Sequence, residues 1–376
     1  MIQVQLKLRP TKAQERALNR WLWHLTGVWN WTVKTLEHEP KLSFYDLKNR
    51  IKGHSVRLGI ANTAISGTIQ TAHTSWRRMI RGISGRPRLK GARRPLSCIS
   101  FDCWYTRPRG HRITVPIIGL TRFHPQEIPA GHVGTARIVR RASGWYLCLL
   151  VQAEPEAIPA VGDGQVGIDP GFSSLMTLST GEKIEHPHEW QQGEARLGQA
   201  QRGNRKHLAA RLQERIANRR KNRNHHLSRR LVAENGLIAF SADSHRAIAR
   251  RFGKSVTSSG HSQLRSMLAH KSRTGGREYI EVPSRHSTRT CSACGALTGP
   301  TGLAGLKVRQ WTCGCGADHE RDVNAARNTL IAGLGMSLKN RREAMSGTAL
   351  LATLRNPTIP AEYFPRSTAQ GEGPRQ

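Results

Sequence analysis

Four cysteines toward the C-terminal end have the spacing that most directly implies chemistry. "CSAC" holds Cys291 and Cys294, and "CGC" holds Cys313 and Cys315. Two short thiol pairs, each on a tight turn, can close a tetrahedral site around a structural Zn²⁺. Gly295 and Gly314, next to Cys294 and Cys313, suit such knuckles. The competing reading is a reduced hairpin without metal. Cys98, Cys103 and Cys148 lie in strand-like segments, and Cys148 reads as a small core residue.

Hard oxygen donors at element ends form a second set. Asp169 closes the short apolar run of "QVGIDPG", and Asp322 opens "RDVNAARN". Each has a plain reading: a turn former for Asp169, a charge on the helix dipole for Asp322. Two-metal phosphodiester cleavage needs about three or four hard ligands converging on paired Mg²⁺. Two aspartates fall short. A third strand-end, "LIAFSADSH", places Ser241, Ala242, Asp243 and Ser244 after four apolar residues.

The elements that must position these residues are legible in the patterning. "IQVQLKL" alternates Ile2, Val4, Leu6 and Leu8 with polar residues, as a half-buried strand does. Thr11 is placed to N-cap a helix with Gln14 as its capping-box partner. Leu18, Trp21, Leu22, Leu25, Val28 and Trp29 then follow at helical spacing. Trp23 and Trp31 lie off this stripe. They either pack against another element or face a nucleic acid. A further helical stretch runs over residues 60–83 and ends in "GRPRLKGARR", a basic loop suited to phosphate contacts or to plain solvation. Strand signals return over 100–152, where "ASG" reads as a hairpin turn between two apolar runs. "EPEAIPAVGDG" is a linker. Strands then alternate with helices, which indicates an α/β domain.

The charge balance narrows the function class. Lys+Arg 59 against Asp+Glu 25 leaves +34 on 376 residues. A surplus that large asks for a polyanionic partner, by default nucleic acid. A ribosomal-type basic protein and a membrane-surface protein compete. The second is disfavoured, because the basic residues are spread along the chain and no long apolar segment exists. The arginine-loaded stretch after residue 201 carries the strongest local signal: Arg202, Arg205, Lys206, Arg211, Arg215, Arg219, Arg220, Lys221 and Arg223, with Glu214 among them. Arg86, Arg88 and Lys90 of the basic loop join it as candidate nucleic-acid contacts. The absence of a signal peptide and the clustered thiols lead us to expect a reducing, cytoplasmic setting, nucleoid-associated in a prokaryote.

Four segments, in order, carry a resemblance: "GIDPG", "GKSVTSSGHSQLRSML", "GREYIEVPSRHSTRTCSACG" and "WTCGCGADHERDVNAARNTL". Together with "KLRPTKAQERALNRWLWHLTGVWNW" and "GRPRLKG", they resemble TnpB, the insertion-sequence RNA-guided nuclease related to type V CRISPR effectors. The resemblance spans roughly residues 1–335. It implies an α/β plus β-barrel architecture, with a wedge-type β-barrel over 1–10 and 95–155 and a helical recognition insertion over 11–94. It also implies a RuvC-like (RNase H-like) domain over 165–290 and 317–335, with a zinc module over 291–316. Residues 336–376 read as a disordered tail. The implied partners are a guide RNA and a double-stranded DNA target with a short flanking motif; the implied metals are structural Zn and catalytic Mg.

By position, Asp169 matches the family's first catalytic carboxylate and Asp322 its third. The middle member is a Glu ending the strand before "GKSV". Ser241 stands there, with Ala242 at the next acid. A neutral, shorter ligand removes one negative charge from a site that must offset two dications, so Mg affinity is expected to be weak or lost. Asp243, two residues on, faces the same side if the strand continues, although Asp243 or Ser244 is also placed to N-cap a helix starting near His245. Glu281 is a poorer substitute, since an acid there already fits the family pattern beside an intact site. Three readings follow: an RNA-guided DNA binder, such as a repressor, with a crippled nuclease; an active RNA-guided endonuclease rearranged around Asp243; and a decaying transposon passenger.

Overall fold

The computed structural model describes residues 2–92, 94–102, 104, 108–154, 157–186, 189–242, 253, 258–301, 305 and 307–346, the last ten as backbone. The chain divides into two units, Met1–Glu156 with Gly193–Asn218, and Ala157–Gln192 with Arg219–Gln376. Among the described residues no helix is long and apolar enough to cross a membrane.

In the first unit, β1 (Ile2–Arg9) buries Val4, Leu6 and Leu8 as its alternation requires. Helix α1 (Lys12–His38) starts at the expected capping box: the Gln14 N–H donates to Thr11 Oγ1 at 3.2 Å and the Thr11 N–H donates to Gln14 Oε1 at 3.0 Å. Two short helices, α2 (Phe44–Arg50) and α3 (His54–Leu58), precede α4 (Asn62–Ile80). Strands β2 (Cys98–Ser100), β3 (Arg112–Val115), β4 (Gly119–Phe123), β5 (His132–Arg141) and β6 (Gly144–Gln152) complete an antiparallel sheet of order β2-β5-β6-β1-β4-β3. The "ASG" turn is confirmed, with Arg141 paired to Gly144.

Of the expected wedge-type β-barrel, the described residues form a curled antiparallel half-barrel sheet. Among the described residues β2 pairs only with β5, and β3 only with β4. Strands of three and four residues present too few backbone groups to complete a closed cylinder. The concave side is filled instead by α1 and α4, whose Leu18, Trp21, Leu25, Ile65 and Ile69 share one core with Leu6, Leu147 and Leu149.

In the second unit, β7 (Gly164–Pro170), β8 (Ser174–Leu178), β9 (Lys183–Glu185), β10 (Asn235–Ala242) and β11 (Glu278–Pro283) form a sheet of order β11-β10-β7-β8-β9. Strands β7, β10 and β11 pair in parallel, and β8 pairs antiparallel with both β7 and β9. A helix α5 (Glu189–Arg202), unforeseen from the sequence, precedes the long basic α6 (Lys206–Glu234), and residues 193–218 of this segment belong to the first unit. Helix α7 (His261–Thr274) follows, then the small hairpin β12 (Gln310–Thr312) and β13 (Asp318–Glu320). The last helix, α8 (Arg321–Ser346), continues past residue 335, where the sequence suggested a tail. The tail beyond 346, the helix expected from Ser244, and the candidates Cys103 and Asp243 lie outside the described residues.

Candidate functional site: a cysteine knot and a three-residue sheet edge

Strand register decides what meets at the edge of the second sheet. Phe240 of β10 pairs with Ile168 of β7, and both enter one hydrophobic core with Val166 and Ile238. Side chains alternate along a strand, so Ser241 and Asp169, one residue on, face the other side. That side also carries Gly167 and Ala239 and is covered by α8. Gly167 is required there: a Cβ would stand 2.1 Å from the Ala326 carbonyl oxygen. Asp322 lies one turn before Ala326, so this docking carries it to the same end of the sheet as Asp169. Asp169 and Ser241 therefore share one sheet face, and Asp322 lies on the helix that covers it.

Ser241 is fully buried, and its hydroxyl has no hydrogen-bond partner among the described residues. Such an orphan costs about 1–3 kcal/mol. Asp322 faces Arg309, whose Nη1 lies 3.4 and 3.3 Å from the two carboxylate oxygens, while Nη2 donates to Ser173 at 3.3 Å. Arg309, Asp322, Ser173 and the Lys183–Glu320 ion pair line a cavity of about 640 Å³. Among the described residues no third Asp, Glu, His or Cys gathers with Asp169 and Asp322. Glu185 and Glu320 line the same cavity as Asp322 and Arg309.

Glu281 is removed from contention by register. It pairs with Phe240, whereas Ser241 pairs with Val282, so Glu281 lies on the opposite sheet face. There it accepts a two-pronged pair from Arg265 of α7 and a bond from Tyr279. The Arg265 guanidinium holds the Glu281 carboxyl below its usual range.

The four cysteines come together. Their sulfurs lie within 4.8 Å of one another, with Cys291–Cys315 at 3.8 Å and Cys294–Cys313 at 3.7 Å. Four sulfurs about 2.3 Å from a central zinc stand about 3.8 Å apart, so the donor set and its size fit Zn²⁺. Two knuckle turns make the cluster. The Gly295 N–H donates to the Cys291 carbonyl and the Gly316 N–H to the Cys313 carbonyl, with φ of 80° and 86° that favour glycine. The second knuckle thus uses Gly316, where Gly314 was expected.

The thiols are strongly unequal. The Cys315 backbone N–H, then the Thr298 hydroxyl, pull Cys313 down to about 6. At Cys294 the Ala296 backbone N–H lowers the thiol, but the sulfurs of Cys291, Cys315 and Cys313 outweigh it and push it up to about 12. Crowded thiols resist joint ionisation; a central dication relieves that repulsion.

Supporting residues escaped the sequence reading. His319 is buried against Trp311, with Nε2 3.0 Å from Cys291 Sγ. Asn324 Nδ2 donates to the Ser287 and Thr290 carbonyls, and its Oδ1 accepts from the Ser292 N–H; Asn328 Nδ2 reaches the same two carbonyls. The two Asn residues of "RDVNAARN", four apart on one helix face, bolt the first knuckle to α8. That spacing was the available signal.

The basic candidates divide. Arg88, Arg202, Arg205, Lys206, Arg211, Arg215, Arg219 and Lys221 are exposed, Lys90 and Arg220 partly so. Arg86 is exposed but paired with Glu37 at 2.6 Å. Arg223 departs from expectation. Its guanidinium donates to Glu189 at 2.8 Å and to the Ser259 carbonyl at 2.6 Å, so it is an internal strut.

Comparison with known proteins follows this geometry. Residues 261–329, from α7 through the cysteine knot into α8, match the family described as Cas12f1-like, TNB domain. The chain is 40% identical over 212 residues to a "Putative RNA-guided DNA endonuclease" of Streptomyces pristinaespiralis, covering 52% of each chain. It is 25% identical over 251 residues to the "Putative RNA-guided DNA endonuclease InsQ" of Escherichia coli (strain K12), covering 59% of this chain and 62% of that one. The chain thus spans about half to three-fifths of the length of these relatives. Among solved structures, the Cas12f1-sgRNA-target DNA complex aligns with 88% of this chain and 99% of that one at 16% identity and a TM-score of 0.35. A CRISPR-Cas12f ternary complex aligns with 83% and 80% at 13% identity and a TM-score of 0.37. Through its cysteine segment and these curated relatives, the chain is similar to the TnpB/Cas12f-like family of RNA-guided DNA endonucleases.

Proposed function

We infer that this protein is an RNA-guided DNA-binding protein of the TnpB/Cas12f type whose RuvC-like nuclease site is attenuated at Ser241. Its partners are a guide RNA and a double-stranded DNA bearing a short flanking motif. The half-barrel with its helices would serve as wedge and recognition parts, the second sheet as the RuvC-like domain, and the cysteine knot as its zinc module. The carrying observation is that Ser241 stands level with Asp169 on the face covered by the helix that carries Asp322. The order and directions of β7–β11, with the first strand central, support an RNase H-like reading of this sheet. Base pairing to the guide reads sequence, and exposed Arg and Lys hold the backbones by charge. Neither task needs a middle carboxylate, so binding survives its loss, and a repressor-like role follows.

The zinc fits the four thiolates, and when bound it supplies a cross-link between two turns; Asn324, Asn328 and His319 hold those turns in place. The competing reading is an active endonuclease that recruits Asp243. The discriminating experiment purifies the protein with RNA from its own locus. It then measures binding and cleavage of matched DNA with randomised flanks in Mg²⁺. Guide-dependent binding without cuts is expected. Cleavage that vanishes in Asp243→Ala overturns the attenuation, and absence of guide-dependent binding overturns both readings.

A further inference from the structure

Helix α1 carries a feature that the sheet-edge site does not use and that core packing uses only in part, through Trp31. Trp23, Gly27 and Trp31 recur every four residues, so they lie on one helical face, with the two Trp Cα atoms about 12 Å apart. Trp23 is 62% exposed, unusual for so large an apolar ring. Gly27 sits between the two rings. A glycine inside a helix is destabilising relative to alanine, and no backbone reason excuses this one. Its φ is not positive, and a Cβ built there would meet nothing within 4 Å. The missing side chain leaves a slot that no described residue occupies.

The slot opens into a cavity of about 550 Å³ whose lining includes Trp23, Gly27, Trp31, His54, Arg57 and Lys90. No carboxylate lines it among the described residues. Its far wall is held rigidly. The basic loop is bolted to α1 by the Asn30 side chain, whose Nδ2 donates to the Lys90 carbonyl and whose Oδ1 accepts from the Lys90 N–H, each at 2.8 Å. The Trp29 indole N–H donates to the Arg88 carbonyl at 3.1 Å. Lys90 Nζ lies 5.5 Å from the Trp29 ring centroid. Flat aromatic faces, a gap between them and cations at the rim suit a planar group attached to an anion.

We propose that this cavity takes an unpaired nucleotide, its base stacked against Trp23 in the slot over Gly27 and its phosphate met by Arg57 and Lys90. The proposal rests on the nucleic-acid-binding reading above and goes beyond it by naming a pocket for one unstacked base. The shared chemistry could come from the guide RNA or from displaced single-stranded DNA. Base–aromatic stacking is sequence-tolerant, so neither source is favoured by base identity.

The test uses the full chain and three probes: oligo-U and oligo-dT each bearing one 2-aminopurine, and a duplex of the same length. Salt is raised until phosphate contacts contribute little. Wild-type protein is expected to change the 2-aminopurine fluorescence of a single-stranded probe but not of the duplex. Trp23→Ala and Gly27→Leu should each weaken that binding about fivefold or more, the range for loss of one stacking contact. Gly27→Leu should not lower the melting temperature, since leucine favours the helix and has room. Loss on oligo-U alone identifies RNA as the source, and loss on oligo-dT alone identifies DNA. Unchanged single-strand binding in both variants, with locus RNA still retained, overturns the pocket and leaves the RNA-guided reading intact. Failure of the wild type to bind any probe or its locus RNA overturns both.

Discussion

Ser241 stands level with Asp169 across the β10–β7 pair, because Phe240 pairs with Ile168 one residue earlier. The β10–β11 ladder on the other side of β10 puts Glu281 beside Phe240, on the other face. An acid is therefore present within one residue of the level needed, and it points away. Ser241→Glu supplies the carboxylate on the correct face. In a guide-loaded cleavage assay with Mg²⁺, this variant should cut matched DNA at least tenfold faster than the wild type, a gain worth about 1.4 kcal/mol of barrier. Ser241→Ala should leave cleavage unchanged and raise stability by up to about 1 kcal/mol in urea unfolding, because it removes a buried hydroxyl without a partner. A clear destabilisation by alanine would mean the hydroxyl is bonded.

The cysteine knot should hold one zinc per chain, and Cys294→Ser should lose most of it by elemental analysis. Acidification should also release it, because thiols must give up protons to bind metal. In the metal-free protein one thiol, Cys313, should titrate near 6 by absorbance at 240 nm, well below the ordinary cysteine value. Its folded pKa is depressed. The stability it contributes is therefore present above the ordinary value and lost as pH falls through about 6.

Asn324→Ala frees the Ser292 N–H and deprives two carbonyls of a donor at a site 1% exposed. The expected loss is about 1–3 kcal/mol in chemical unfolding, with weaker zinc retention against a chelator. Zinc retention equal to wild type would separate α8 from the integrity of the knot.

Arg223 and Arg215 should part company although both sit in the same basic run. Arg223→Ala leaves Glu189 buried without its partner and should destabilise by about 3 kcal/mol or more. Arg215→Ala should leave the melting temperature within error. If Arg215 meets a phosphate, the variant should weaken nucleic-acid binding and reduce its salt slope by about one.

Arg309→Gln should barely change stability, since its pair with Asp322 is half-exposed and worth under about 1 kcal/mol. It should strengthen Mn²⁺ binding measured by EPR, most visibly when combined with Ser241→Glu. No change in Mn²⁺ affinity in the double variant would place metal binding elsewhere.

What the amino-acid sequence determined by itself was local. The alternation of β1, the Thr11–Gln14 capping box, the "ASG" turn and the paired thiols each depend on residues within a few positions of one another. Near-neighbour sterics and hydrogen bonds suffice to specify them. The order of motifs set Ser241 at the position of the family's middle carboxylate, as a resemblance. What only the tertiary structure decided was non-local. Whether six strands close into a barrel depends on edge pairing over long separations. Which face receives Ser241 and not Glu281 depends on register against β7 and β11. Whether an arginine meets solvent or a buried Glu189 depends on how α5 packs, and whether His319 reaches Cys291 depends on the closure of a hairpin. Patterning marks residues as apolar, charged or ligating; it does not carry the pairing of distant strands and helices that tells an exposed Arg215 from an internal Arg223.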